Sequence, residues 1–317
     1  MWTTSLAGDG RDVSVIGFGC WAAGGLWWGD DVRDEDSIAA IRTAYDLGIR
    51  LYDTAPLYGH GHADTILARA LGEHLRDVTI ATKCGVRWDG EGAHARSDLS
   101  EGWLREDIDQ SLRRLGVERL DLVQIHWPCE RGTPLDESIG TLQSLVDAGK
   151  IARFGVCNYN AAGLEAALAA GAVATLQTPY SMLRREYEHG LRDVVRAHPG
   201  LKVLAYEPLC RGLLTGKHSA RHVFPDSDLR ARDDRFVGDR YLRALTLTSR
   251  LGLHASRLGV STGAIAIAWA LRQPGIDLAL VGAKRPEQVL QNVQAVRLLG
   301  DVARWDEIER IAASWRG

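Results

Sequence analysis

Asp53, Tyr58, Lys83 and His126 each sit at or just past the end of a short apolar run. I-R-L-Y-D-T-A-P-L-Y-G carries the first two, V-T-I-A-T-K-C-G the third and L-D-L-V-Q-I-H-W-P the fourth. An acid, a phenol, an amine and an imidazole gathered at one rim would make a proton donor with its tuning partners. An unperturbed phenol has a pKa of about 10 and is a poor acid near neutral pH. A lysine ammonium beside it favours the phenolate and lowers that value. In such a set Asp53 pairs with Lys83 and holds it charged, while His126 donates a hydrogen bond that orients a substrate oxygen. A phenol delivering a proton to a carbonyl oxygen is general acid catalysis, typically contributing about 10²–10⁴-fold. The carbonyl carbon must gain electrons by another step, and hydride addition to an aldehyde or ketone supplies it. Singly, these residues read as a packed tyrosine, a solvated lysine and a satisfied core histidine. Their recurrence at successive strand ends points to chemistry.

The runs are apolar on both faces, the mark of buried parallel strands. Eight such strands are expected: 18–21, 50–53, 78–83, 120–126, 154–156, 174–177, 202–206 and 278–281. Amphipathic stretches at 35–47, 63–75, 101–115, 135–148, 161–169, 188–197 and 261–272 alternate with them as helices. Residues 1–16 read as a β-hairpin turning at Gly8-Asp9-Gly10. The alternation predicts an α/β chain folded as one (β/α)8 TIM barrel domain over residues 1–317, with an N-terminal hairpin and a long loop before the last strand. That loop, Lys217–Arg243, is rich in Arg and Asp, and a long loop in a compact enzyme is typically a lid or ligand loop. Polar residues at the carboxyl ends of barrel strands are where such a fold builds its site. An open doubly wound sheet is the alternative, but a chain this long usually divides it into two domains, and no Pro/Ser-rich linker occurs.

Composition narrows the class of function. The 317 residues are 45% hydrophobic and 25% charged, and 38 basic against 41 acidic residues leave a formal charge of −3, so no global basic field invites nucleic acid or an anionic membrane. Five scattered cysteines without a C-x-x-C pair suit a reducing, cytoplasmic setting better than a disulfide framework. No window approaches the roughly 18 apolar residues of a membrane span.

The motifs I-G-F-G-C-W, D-T-A-P-L-Y-G, T-K-C-G, D-L-V-Q-I-H-W, F-G-V-C-N-Y-N, L-Q-T-P-Y-S, A-Y-E-P-L-C-R-G-L-L-T-G-K and V-G-A-K-R-P-E-Q-V-L-Q-N follow one another over nearly the whole chain. In order and spacing they resemble the aldo-keto reductase family, closer to its bacterial and potassium-channel beta-subunit-like branch. The resemblance implies NADPH as cofactor, bound without a Rossmann domain, and reversible reduction of a small carbonyl substrate. It implies Tyr58 as acid, Asp53 and Lys83 as its tuners and His126 as substrate orienter. Asn158 and Gln177 match the pair that hydrogen-bonds the nicotinamide carboxamide, and Tyr206 the aromatic that stacks on that ring. Trp21 is placed beside the cofactor as well as the substrate. Pro208, Leu209 and the stretch through Lys217 match the pyrophosphate belt, and Gly282, Lys284, Gln288, Gln291 and Asn292 the adenosine site. Lys284 and Arg285 offer two cations near the ribose phosphate, favouring NADP over NAD. A cofactor-loaded partner or regulatory subunit with slow turnover is the alternative function that the same resemblance carries.

Three departures matter. Cys157 and Glu207 stand where the family more often has serine, and Asp64 stands where it has glutamate. A carboxylate at 207 repels a pyrophosphate unless it turns away or pairs with Arg211 or Lys217. Two decoys are also present. Gly17-Phe18-Gly19-Cys20-Trp21-Ala22 fits a dinucleotide fingerprint, but the A-A-G-G-L-W-W-G that follows cannot easily supply the required helix. His60 and His62 lack a third ligand at metal-binding spacing, so no metal is expected. Trp21, Trp27, Trp28, Trp88 and Trp127 fall in or beside the catalytic-rim loops. Walls of this kind favour an apolar or aromatic carbonyl compound.

Overall fold

A strand that is apolar on both faces cannot leave one in water, and in the computed structural model these strands close into a barrel under a coat of helices. The structure describes residues 1–6, 12–88, 95–129, 132–300 and 305–315. The barrel strands are β1 (Ile16–Gly19), β2 (Leu51–Asp53), β3 (Thr79–Cys84), β4 (Leu122–Ile125), β5 (Phe154–Cys157), β6 (Thr175–Pro179), β7 (Lys202–Tyr206) and β8 (Leu278–Gly282). All pair in parallel with their sequence neighbours, and β8 closes on β1. This is the (β/α)8 barrel expected, with strand ends displaced by at most two residues.

The coat comprises α1 (Asp34–Asp46), α2 (His62–Leu71), α3 (Glu101–Leu115), α4 (Leu135–Asp147), α5 (Ala161–Ala170), α6 (Leu191–Ala197), α7 (Gly238–Leu258), α8 (Thr262–Leu271), α9 (Pro286–Val293) and α10 (Trp305–Ala313). Helix α6 begins three residues later than its sequence pattern suggests, because Gly190 takes a φ of +87° immediately before it. The segment 217–243 is not loop throughout. Short 3₁₀ turns at Leu229–Arg232 and Asp234–Phe236 lead into α7, which buries Tyr241, Ala244, Leu247, Leu251 and Ala255 on one face. Helices α7, α9 and α10 lie outside the seven amphipathic stretches read from the sequence.

The barrel interior is packed by Leu51, Ala81, Leu122, Leu204, Leu278 and Leu280, joined from below by Leu6 and Val13. Those two come from the antiparallel hairpin strands Thr3–Ser5 and Asp12–Ser14. Arg153, just ahead of β5, donates to the Leu6 carbonyl at 3.2 Å, which fixes the hairpin at the amino ends of the strands. The hairpin turn expected at Gly8–Gly10 lies outside the described residues. With one end plugged, the carboxyl end is left to carry the site.

Candidate active site

Strand β2 delivers Asp53 and β3 delivers Lys83 as neighbours in the barrel wall, which settles their pairing. Lys83 Nζ donates to both Asp53 oxygens at 2.8 Å and to the Thr54 carbonyl at 3.1 Å. Both side chains are buried. Gln177 from β6 donates to Asp53 Oδ1 at 2.8 Å. Thr54 is held in turn by Asp64, whose Oδ1 accepts from its hydroxyl at 2.7 Å and whose Oδ2 pairs with Arg114 at 2.9 Å. Asp64 therefore steadies, from beneath, the carbonyl that receives Lys83.

Tyr58 reaches this pair through a tight turn, its N–H donating to the Ala55 carbonyl at 2.9 Å. Gly24 and Gly59 make the turn possible. Gly59 has a φ of +63°, and a Cβ there would stand 2.1 Å from the Gly24 carbonyl oxygen. Gly59→Ala is expected to cost about 1–3 kcal/mol of stability in strain and clash, read from thermal unfolding. The Lys83 ammonium lies 5.0 Å from the centre of the Tyr58 ring. His126, one residue past β4, meets that ring edge-on at 6.1 Å.

Electrostatics at this cluster are dominated by burial. Burial raises the Tyr58 pKa, and Lys83 opposes this without cancelling it, so the expected lowering is present in sign but outweighed. The phenol accordingly stays protonated at neutral pH. Burial pulls Lys83 down, yet Asp53, Tyr58 and Cys157 more than offset it and the amine stays an ammonium. His126 lies well below its ordinary value, through burial first and the Lys83 charge second, and is a neutral imidazole. Burial likewise pushes the Cys157 thiol up to about 12, so it is not a thiolate at neutral pH.

The cluster opens into one cavity of about 370 Å³. The residues singled out above for catalysis, cofactor and pocket lie on its wall except Arg285 and Trp88, the latter stacking on His60 at 4.8 Å instead. Tyr206 donates to Asn158 Oδ1 at 2.8 Å, and Asn158 donates to the His126 carbonyl at 3.0 Å. The chain is strained where it borders the cavity: Trp27, Asn158, Glu207 and Arg211 line it with positive φ. Such strain clusters at functional sites. Arg230, also on the wall, has no motif to announce it. It is placed by the loop that folds back onto Trp28, its guanidinium 5.5 Å from that ring centre.

Aromatic side chains enclose the tyrosine. Trp21 stacks on Tyr58 at 6.0 Å, Trp28 meets Trp21 edge-on at 5.1 Å and Trp127 stacks on His126 at 4.6 Å. The Trp27–Trp28 segment is also structural, since the Trp27 carbonyl accepts from Leu229 N at 2.8 Å and that of Trp28 accepts from Lys284 at 2.6 Å.

Glu207 does not stand free against the cavity. It accepts from Arg211 at 2.7 Å, Arg235 at 2.9 Å and Arg184 at 3.3 Å. Arg211 is the partner expected, Arg184 and Arg235 are additions, and Lys217 takes no part in the cluster. Despite burial, Arg211 and Arg235 hold its carboxyl below the usual glutamate value. His62 is engaged by Asp34 at 2.8 Å rather than by a second histidine. Among the described residues no group of three His, Cys, Asp or Glu is arranged to hold a metal ion. No described helix is long and apolar enough to cross a membrane.

A closed α/β barrel carrying an Asp–Lys pair, a phenol and an imidazole at its carboxyl rim has the architecture of a barrel enzyme. The chain belongs to the aldo/keto reductase family, whose profile matches residues 15–313. It is 37% identical to aldo-keto reductase YhdN of Bacillus subtilis over 90% of this chain and 86% of that protein. It is 32% identical to the NADH-specific methylglyoxal reductase of Escherichia coli, over 90% of each. Its structure superposes on that of a glycerol dehydrogenase from Gluconobacter oxydans with a TM-score of 0.86 at 36% identity, covering 98% of this chain and 94% of that one. It is thus a member of an oxidoreductase family that acts on small carbonyl compounds with nicotinamide cofactors.

Proposed function

We propose that this protein is an NADPH-dependent reductase of aldehydes or ketones, with Tyr58 as its general acid. The observation that carries this reading is the Lys83 ammonium, locked on both Asp53 oxygens and poised over the Tyr58 ring at 5.0 Å on the cavity wall. Tyr58 donates its hydroxyl proton to the carbonyl oxygen, and Lys83 stabilises the phenolate left behind. Asp53 keeps Lys83 charged and in place. Neutral His126 orients the carbonyl by a hydrogen bond without competing for the proton.

The cavity wall fits a nicotinamide nucleotide, which when bound supplies the hydride. Asn158 and Gln177 present carboxamides, and Tyr206 presents a ring whose plane is steadied through its hydroxyl by Asn158. Pro208, Leu209 and Lys217 border the stretch assigned to the pyrophosphate, with Gly282, Lys284, Gln288, Gln291 and Asn292 assigned to the adenosine end. Lys284 and Arg285 favour the 2′-phosphorylated form. The substrate side of the wall, Trp21, Trp27, Trp28 and Trp127, suits a carbonyl compound with an apolar or aromatic group.

The test is nucleotide oxidation by the purified protein with a panel of aromatic and aliphatic aldehydes and ketones, NADPH and NADH run in parallel. NADPH-preferring turnover supports the proposal. Tight nucleotide binding without turnover across the panel would favour a regulatory subunit, and no binding of either nucleotide would end the reading. Trp127→Ala is expected to lower kcat/KM for an aromatic aldehyde relative to a short aliphatic one by about tenfold, the scale of one lost pocket contact. An unchanged ratio would remove Trp127 from substrate choice.

A further inference from the structure

The two cations that follow β8 already face acids from the segment between β1 and α1 and from α1 itself. Lys284 Nζ donates to Asp31 Oδ1 at 2.7 Å as well as to the Trp28 carbonyl. Arg285 Nε lies 3.6 Å from Asp36 Oδ2 in the first turn of α1. The turn beneath them is fixed by Gln288, whose Oε1 accepts from the N–H groups of both Lys284 and Arg285, at 2.6 and 3.2 Å. Backbone position is thus set by Gln288, and the direction of the Lys284 side chain by Asp31 and Trp28. Lys284 itself is on the cavity wall with its side chain only 17% exposed.

We infer that Asp31 is a specificity-determining residue for the cofactor, and that its carboxylate weakens the preference for the 2′-phosphorylated nucleotide. The inference rests on the reading that the cleft holds a nicotinamide nucleotide with its adenosine end at Lys284–Asn292. An ammonium has three donors, and two of those on Lys284 are already placed. A phosphate approaching the third comes within the field of the Asp31 carboxylate. That like-charge term acts on the phosphorylated ribose and not on a free 2′-hydroxyl, which a carboxylate can instead accept from. Asp36 acts on Arg285 in the same sense, but at 3.6 Å between half-exposed groups its effect is smaller. The sequence pair Lys284-Arg285 therefore overstates the bias toward NADP, because the countercharge comes from a segment 253 residues away.

The experiment is calorimetric titration of the intact protein with NADPH and with NADH, for the wild type, Asp31→Asn, Lys284→Met and the double variant. Asp31 is largely exposed, and in its amide variant the mostly buried Lys284 ammonium keeps the Trp28 carbonyl as an acceptor and can take the new amide oxygen as a second, so the fold is expected to survive. Asp31→Asn is expected to tighten NADPH by about fivefold, the reach of one partly exposed charge pair, while leaving NADH within about twofold. The gain should shrink as ionic strength rises. In the Lys284→Met background the part of the gain that comes from releasing the ammonium should be lost, leaving only the like-charge part, so the selective gain for NADPH should differ from that in the wild type. Equal shifts for both nucleotides, or weaker NADPH binding in Asp31→Asn, would overturn the role of Asp31 and leave the cofactor reading standing. If neither nucleotide binds the wild type, the cofactor reading falls, and the inference falls with it.

Discussion

Tyr58→Phe is expected to reduce carbonyl turnover by about 10²–10⁴-fold while leaving nucleotide affinity within about twofold, because it deletes the proton and little else. The ring keeps its stack on Trp21 and its edge contact with His126. Lys83 keeps both Asp53 oxygens and the Thr54 carbonyl, so no buried charge is orphaned and the fold survives. Nucleotide binding by titration and kcat by steady-state kinetics separate the two effects. A variant retaining more than a tenth of wild-type kcat would remove Tyr58 from proton transfer and point to water as the donor. The pH profile carries the same information. Burial raises the Tyr58 pKa, so the phenol stays protonated through the neutral range and carbonyl reduction should be flat there. Alcohol oxidation needs the phenolate, and its rate should climb with pH over the same range. His126, held far below its ordinary value, should add no step near neutrality.

Much of this arrangement is legible in the sequence, and the reason is local. A run apolar on both faces identifies a buried strand, and a polar residue at its end is then placed on the rim by topology alone. Asp53, Lys83 and His126 follow from that rule. Tyr58 follows less directly, since its position depends on the contact between Gly24 and Gly59, residues that only the fold brings together. What could not be read are the pairings between distant segments. Nothing periodic links Asp31 to Lys284, or Arg184 and Arg235 to Glu207. Nor does residue type alone weigh burial against a neighbouring charge, which is why the effect of Lys83 on the Tyr58 phenol comes out smaller than the pair suggests. Helix α7 is a different kind of omission. Its buried face recurs every three or four residues, but Arg- and Asp-rich sequence runs into its first turn and disguises where it starts. Trp88 shows the limit of counting aromatics near a rim, because a loop position does not say which ring a side chain will stack on.

Glu207→Ala should cost about 3 kcal/mol of stability, the lower end of what removing one partner from a buried ion cluster costs. The side chain is buried at the end of β7, where Arg184, Arg211 and Arg235 converge on its two oxygens. Without it, Arg211 and Arg235 retain Asp233 as their one anion, at 2.9 and 2.6 Å, and two cations share a single carboxylate. Arg184, a third exposed, can turn to water, which holds the loss to the lower end of the range. Thermal unfolding measures the cost, and limited proteolysis should show the 3₁₀ segment Asp234–Phe236 cut sooner, since Glu207 is one of the groups that tie it to the barrel. Because the penalty is unpaired charge rather than lost packing, Glu207→Ala combined with Arg235→Met should be more stable than Glu207→Ala alone. Acid titration supplies an independent check. The Glu207 pKa is lowered in the folded protein, so its contribution is fully present above the ordinary value of 4.5 and is lost as pH falls through and below it. The stability gap between wild type and Glu207→Gln should therefore narrow on acidification. A gap independent of pH, or a double variant no better than the single, would mean that Glu207 acts by filling space and that the arginine cluster is incidental to the loop.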